Sequence, residues 1–192
     1  MMQRGSFPHK MVVVTGPPAV GKDAIADELI KWLPLRKVIT TTTREPRPGE
    51  KRGIDYHFVS KRRFEEMITN DLMVESVQYA GHYYGTQRRD MRRPALEGLV
   101  PLLRVDPTEA IEIQQTQPEA LVIFLKPQSL STIKKRLIAR GSSLDEIDKR
   151  LRLAKEAMRS EPVFAYSVTN LDGKLEETVR TVKKIVRRYL GL

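Results

Sequence analysis

The chain has 192 residues, 40% hydrophobic and 30% charged, which fits one globular domain of roughly 100–200 residues with enough apolar material for its own core. It contains no cysteine, which excludes a disulfide framework, a thiolate nucleophile and a cysteine-held metal. A net charge of +10 leaves three readings: a solvated basic surface, nucleic-acid binding, or a cleft for ligands carrying several phosphate charges.

Residues 1–10 carry basic side chains but no apolar stretch of the signal-peptide kind, and runs such as Ala120–Leu125 are too short to span a bilayer, so the expected location is cytoplasmic. Met11–Thr15 is a short apolar run ending at Gly16 and predicts a buried strand. Residues 21–33 place Ala24, Ile25, Leu29, Ile30 and Leu33 on one helical face, with Pro34 as the stop and Trp32 expected in the core. Residues 37–43 read as extended, 45–53 as a loop rich in Pro, Gly and charge, 55–60 as a strand and 61–70 as a helix. Residues 72–84 are β-rich with a break at 80–82, and 86–98 predict a helix capped by Thr86. Strand and helix signals then alternate: strand 99–105, helix 108–116, strand 120–125, helix 131–140 closed by Gly141, charged helix 143–159, strand 166–169 and helix 173–190.

Alternation with near-continuously apolar strands implies a parallel α/β sheet covered on both faces. The β-rich stretch from 37 to 84 does not fit the alternation and reads as a small subdomain hung on that sheet. His9, His57 and His82 have no metal-binding spacing and are assigned no chemistry.

Gly16-Pro17-Pro18-Ala19-Val20-Gly21-Lys22 follows a predicted strand and opens a predicted helix, the context a P-loop requires. Its glycines let the backbone curl so that successive N–H groups face phosphate oxygens, and the helix N-terminus adds partial positive charge. Lys22 is placed to reach the β- and γ-phosphates of a nucleoside triphosphate. The next position ordinarily carries a Ser or Thr whose hydroxyl meets Mg²⁺, but here it is Asp23. A carboxylate beside phosphates is repelled unless a cation intervenes, which makes Asp23 either a Mg²⁺ contact or a first-turn acid favoured by the helix dipole.

Arg44 and Arg47 sit three residues apart, so two planar donor forks can converge on one dianionic phosphate. Glu75 lies in an apolar β-rich stretch, where a carboxylate needs paired donors. The run Thr41-Thr42-Thr43-Arg44-Glu45-Pro46-Arg47-Pro48-Gly49-Glu50, followed by Gly53, Asp55, Tyr56 and Phe58, and then by Glu75 and Tyr83-Tyr84-Gly85-Thr86, resembles the GMP-binding region of guanylate kinases. With the P-loop and the arginine-bearing segment 134–151, the resemblance covers most of the chain. It implies a P-loop NTPase fold: a three-layer α/β/α core with a parallel sheet at about 8–36, 95–130 and 160–192, a GMP-binding subdomain at about 37–90 and a helical lid at about 131–159.

The resemblance implies transfer of a phosphoryl group from ATP to GMP with Mg²⁺, these nucleotides being the partners of a monomer or homodimer, with no membrane or nucleic-acid partner. It assigns Arg44, Arg47, Tyr56 and Tyr84 to the GMP phosphate, and Thr40, Glu75, Thr86 and Asp106 to the guanine. Guanine offers two parallel N–H donors that match a carboxylate's two oxygens, and adenine lacks that pair. ATP falls to Gly16, Pro17, Pro18, Ala19, Val20, Gly21, Lys22, Asp23 and Asn170, and the transferring phosphoryl group to Lys22, Arg44, Arg136, Arg140 and Arg150. Each lid arginine also has a plainer reading as an exposed helix charge, for example in a Glu146–Arg150 contact, Asn170 as a turn former and Asp106 as a helix cap.

The pattern departs from the family at Arg104-Val105-Asp106, where Asp-Ile-Asp is usual. A ribose 1,5-bisphosphokinase would share Gly-Lys-Asp and the lid but should lack the full 44–58 pattern. A catalytically inactive guanylate-kinase-like binding module usually loses P-loop residues, whereas Lys22 and both glycines stand here. A nucleic-acid-binding protein would need a reading helix or stacking aromatics, and aromatics are 6%.

Overall fold

A computed structural model describes residues 10–79 and 81–192, so His9 and part of the expected break at 80–82 lie outside the described residues. Strand β1 (Val12–Thr15) is buried at all four positions. Successive strand side chains point to opposite faces, so both faces of β1 are covered, as a three-layer arrangement requires. β1 pairs in parallel with β7 (Val100–Arg104) and β8 (Leu121–Pro127), and β8 pairs in parallel with β9 (Tyr166–Asn170). With β2 (Leu35–Lys37) the sheet runs β2-β7-β1-β8-β9.

Helix α1 (Lys22–Leu29) packs on α7 (Leu175–Leu190), α4 (Pro107–Thr116) on β1 and β8, and α5 (Leu130–Ala139) on β8 and on α6 (Leu144–Arg159). Val12, Val13, Val14, Ile25, Leu29, Leu102, Ile123, Phe124 and Leu125 are wholly buried and form the centre of this core. Helix α1 ends at Leu29, short of the expected 33. Leu33 precedes Pro34, which disfavours helical geometry, and the Lys31 and Trp32 N–H groups turn to carbonyls only three residues back. The expected core position of Trp32 is therefore wrong: past the helix end its ring is 65% exposed, with Lys183 Nζ 4.6 Å from the ring centre.

A second sheet runs β4-β3-β6-β5, built from β3 (Thr40–Thr42), β4 (Tyr56–Phe58), β5 (Met73–Tyr79) and β6 (His82–Gln87). Helix α2 (Lys61–Thr69) starts at Ser60, whose hydroxyl accepts from Arg63 N at 3.2 Å. Phe64 of α2 stacks on Tyr83 at 5.4 Å and clusters with Met67 and Met73. This close approach needs Gly85, where a Cβ would stand 3.1 Å from the Phe64 ring and 2.6 Å from the Glu75 carbonyl. Thr86 does not cap a helix, because β6 continues through it and α3 (Arg88–Leu96) begins after Gln87. Thr86 pairs with both Thr40 and Glu75, and those ladder bonds outweigh its capping propensity.

Contacts divide the described residues into two compact units, Arg36–Pro101 and residues 10–35 with Leu102–Leu192. Helices α5 and α6 belong to the larger unit. Among the described residues no helix is long and apolar enough to cross a membrane.

Candidate active site

In the larger unit the expected phosphate loop leaves the C-terminal end of β1. That edge is where open parallel sheets place ligands. Gly16 has φ 137°, and a Cβ on it would stand 2.2 Å from the Leu125 carbonyl oxygen, so only glycine lets the chain leave the sheet against β8. Gly21 has φ 105°, and a Cβ there would stand 2.6 Å from Asn170 Nδ2. Between them Ala19 holds a left-handed φ of 59° without being glycine, a local strain of the kind that gathers at binding loops. Lys22 Nζ donates to the carbonyls of Gly16 at 2.7 Å and Pro17 at 3.2 Å. Burial pulls Lys22 from its ordinary 10.5 down to about 8, against the opposing pull of Asp23 and Asp106.

Two side chains brace this loop from outside. Asn170, the last residue of β9, donates through Nδ2 to the Val20 carbonyl at 2.7 Å, and its Oδ1 accepts from Thr178 Oγ1 at 3.1 Å. It is a buried strut in a strand, not a turn former. Arg136 of α5 donates through Nη1 to the same Val20 carbonyl at 2.9 Å and to Ala19 O at 3.4 Å. The apolar core of α5 and α6, from Ile133, Leu137, Ile147 and Ala154, has Ala19 packed against it. Of the other lid arginines, Arg140 stands exposed at the end of α5, and Arg150 pairs with Glu146 at 2.7 Å, the one-turn contact its spacing allows.

Asp23, in the first turn of α1, accepts a hydrogen bond from Nη1 of Arg104, the last residue of β7. Asp106 is the N-cap of α4, accepting from Thr108 N at 2.8 Å and Glu109 N at 3.1 Å. Among the described residues no three His, Asp or Glu side chains group as a metal cage.

In the smaller unit the sheet register gathers the expected acceptor residues. Thr40 pairs with Tyr56 on one side and Thr86 on the other, and Thr86 pairs with Glu75, so these four share one face. Thr42 with Phe58 and Tyr84, one step of two along, extends the same face. Tyr56 and Tyr84 meet edge to face at 6.3 Å. Arg44 lies over the Tyr56 and Phe58 rings at 5.5 and 5.8 Å.

Glu50 ties the arginines together. Its Oε1 accepts from Arg44 Nη2 at 2.9 Å, its Oε2 accepts from the Arg47 backbone N–H at 2.7 Å, and the Arg47 guanidinium stands 4.0 Å away. Burial alone would lower the Arg44 guanidinium, but its bond to Glu50, helped by Tyr84, outweighs burial and holds it above its ordinary value. Sequence reasoning gave no role to Glu50. The signal was present, since an acid three residues after Arg47 in a Gly-containing loop can fold back on both arginines. Asp106 belongs to the larger unit and is not part of this face.

A cleft of about 520 Å³ also lies in the smaller unit, lined by Arg52, His57, Arg63, Met67, Arg88 and Arg92 among others. It includes none of the acceptor-face residues Thr40, Arg44, Glu75 or Thr86. Arg63 pairs with Glu66 and Arg88 with Asp71, and His57 Nε2 stands 3.0 Å from Asp90 Oδ2.

The geometry thus provides a glycine-bounded loop with one lysine in one unit, and a carboxylate-bearing face with a nearby arginine pair in the other. The family model described as guanylate kinase matches residues 8–189. A guanylate kinase of Thermus thermophilus is 39% identical over 171 residues, covering 88% of this chain and 77% of the relative. One from Prochlorococcus marinus subsp. pastoris is 37% identical over 184 residues, covering 93% and 97%. In fold, the chain is similar to the crystal structure of guanylate kinase from Anaplasma phagocytophilum, with a TM-score of 0.75 at 24% identity over 93% of this chain and 84% of that one. From the phosphate loop to the acceptor face, the chain belongs to the guanylate kinase family.

Proposed function

We propose that this protein transfers the γ-phosphoryl group of ATP to GMP, giving ADP and GDP. The observation that carries the reading is the single face on which Thr40, Glu75 and Thr86 stand in register beside the Arg44 clamp. Family membership supports the same activity. In the reaction an oxygen of the GMP phosphate bonds to the γ-phosphorus while the bond from that phosphorus to the β–γ bridging oxygen breaks, and ADP leaves with that oxygen. Such transfer needs positioning and matched charge more than covalent help.

The loop Gly16–Lys22 would cradle the ATP phosphates, with Lys22 swinging from the Gly16 and Pro17 carbonyls to the phosphate oxygens. A lysine pulled down to about 8 by burial regains full charge against such an anion. Asn170 would keep the loop shaped for ATP, and Arg136, Arg140 and Arg150 would meet the transferring group as the site closes. Arg44, Arg47, Tyr56 and Tyr84 would hold the GMP phosphate. Glu75 would accept the guanine N1–H and 2-amino hydrogens, with Thr40 and Thr86 completing base recognition. Asp23, whose Oδ1 already accepts from Arg104, would hold Mg²⁺ through its other oxygen, and the ion would supply charge neutralisation for the phosphates.

The test is a coupled assay with purified protein, Mg-ATP as donor and GMP, dGMP, AMP, UMP and ribose 1,5-bisphosphate as acceptors. GMP should be preferred over AMP by at least about two orders of magnitude, the discrimination expected of a site built to pair with specific N–H groups. Faster turnover of ribose 1,5-bisphosphate than of GMP would transfer the assignment to the rival small-molecule kinase. No turnover of any acceptor, with GMP still bound, would make the chain a binding module.

A further inference from the structure

A carboxylate directly after the phosphate-loop lysine is a poor neighbour for a polyphosphate, because a loop of this type uses a neutral hydroxyl there. A guanidinium buried at the end of a core strand is equally poorly placed unless an anion meets it. The fold brings the two together. Arg104 ends β7 directly beside Val14 of β1, its side chain only 4% exposed, and donates to Oδ1 of Asp23, whose side chain is 70% exposed on the first turn of α1. Charges that act on Lys22 come from Asp23, Asp106 and Glu109 on one side and Arg104 on the other. Without Arg104 the Asp23 carboxylate would face the loop's ligand stripped of its guanidinium partner.

We propose that Asp23 and Arg104 form one coupled ion pair at the phosphate loop, in which Arg104 is a positioning residue that keeps the Asp23 carboxylate compatible with a bound triphosphate. The inference rests on the reading that Gly16–Lys22 holds ATP. It makes the two residues interdependent. Removing Arg104 alone strips Asp23 of its counter-charge beside the phosphates. Removing the Asp23 charge alone takes one anionic partner from the buried guanidinium and lowers stability, while metal-free phosphate binding stays intact or strengthens.

The experiment is a double-mutant cycle on the full chain: wild type, Asp23→Asn, Arg104→Met and the double variant. ATP affinity is measured by calorimetry in EDTA, so that no divalent metal contributes, and Tm is measured on the same samples. Arg104→Met should weaken ATP binding about tenfold, the size expected for one uncompensated charge a few ångströms from phosphate in a partly wet site. The double variant should return to within about twofold of wild type. Asp23→Asn should lower Tm by about 2–4 °C with ATP bound at least as tightly as by wild type. Arg104→Lys should rescue most of the affinity lost in Arg104→Met.

Additive effects, or Arg104→Met losing Tm with unchanged ATP affinity, would overturn the proposal and leave Arg104 a packing residue. If Arg104→Met does not fold, Asp23→Asn decides alone: a tenfold loss of metal-free ATP affinity in that variant overturns the pairing role. Wild-type protein that fails to bind ATP at all would instead overturn the phosphate-loop reading, and the proposal with it.

Discussion

The phosphate loop and the acceptor face solve the same problem, holding a phosphate, with different materials. The loop relies on backbone: Gly16 and Gly21 take conformations no other residue fits, Asn170 and Arg136 tie down its Val20 carbonyl, and Lys22 is its only cationic side chain. The acceptor face relies on side chains standing at alternate positions of four short strands, plus two loop arginines fastened by Glu50. A backbone device recognises any phosphate chain, while a side-chain device can recognise one base. Mutations should therefore separate the two, affecting general phosphate chemistry in one unit and acceptor choice in the other.

The largest effect is expected at Lys22. Lys22→Met keeps the length and apolar stem but removes the loop's side-chain charge, and kcat should fall by about 10²–10³-fold with every acceptor alike. Steady-state rates with GMP and dGMP, alongside an unchanged circular-dichroism spectrum, check this. A loss confined to one acceptor would mean the loop takes part in acceptor recognition after all.

Next in size is Glu75→Gln. The amide keeps one acceptor and adds a donor that opposes the guanine N–H pair, so the GMP-over-AMP ratio of kcat/KM should drop by about 10–100-fold, the range of a charged hydrogen bond lost. Activity on AMP should barely fall. Equal discrimination before and after the change would remove Glu75 from base recognition.

Legibility in the sequence followed the same division. Gly16 through Lys22 was readable because strand, glycine turn and helix onset leave local signals within a dozen residues. Arg44, Arg47, Glu75 and Thr86 were readable only as a spaced pattern. That Glu75 and Thr86 share a face with Thr40 depends on the β3-β6-β5 register, which brings β3 to β6 across some 45 residues and leaves no local trace. For the same reason Thr86 read as a helix cap: its local propensity fits a cap, and its ladder partners were invisible. Trp32 failed differently, since helical periodicity was continued past the point where Pro34 ends it. The Arg104–Asp23 contact crosses from β7 to α1, and sequence showed two departures from pattern without showing that they touch.

Glu50 tests whether the acceptor clamp is a built device or two independent arginines. Its carboxylate binds the Arg44 guanidinium and the Arg47 backbone at once, with its side chain 19% exposed. Glu50→Gln keeps the shape but loses the charge, so Arg44 should be less well oriented and KM for GMP should rise about tenfold while kcat changes less. KM for ATP should stay put. If Glu50→Gln leaves GMP affinity unchanged, Arg44 is positioned by the Tyr56 and Phe58 rings instead.

The smallest effect is expected where the loop is held twice. Asn170→Ala removes one donor to the Val20 carbonyl, yet that carbonyl keeps Arg136 Nη1 at 2.9 Å, so no buried acceptor is orphaned. The Thr178 hydroxyl, which loses Asn170 Oδ1, keeps the Lys174 carbonyl at 3.3 Å. What is lost is mainly a buried hydrogen bond and some packing, so stability should fall by about 1–2 kcal/mol and KM for ATP should rise only about threefold, with KM for GMP unchanged. Arg136→Ala in the same background removes the second tie. Because the two donors share one acceptor, the double variant should lose more than the sum of the singles in both Tm and ATP affinity. Strict additivity would mean that Gly16 and Gly21 alone hold the loop, and that Arg136 acts only on the transferring group.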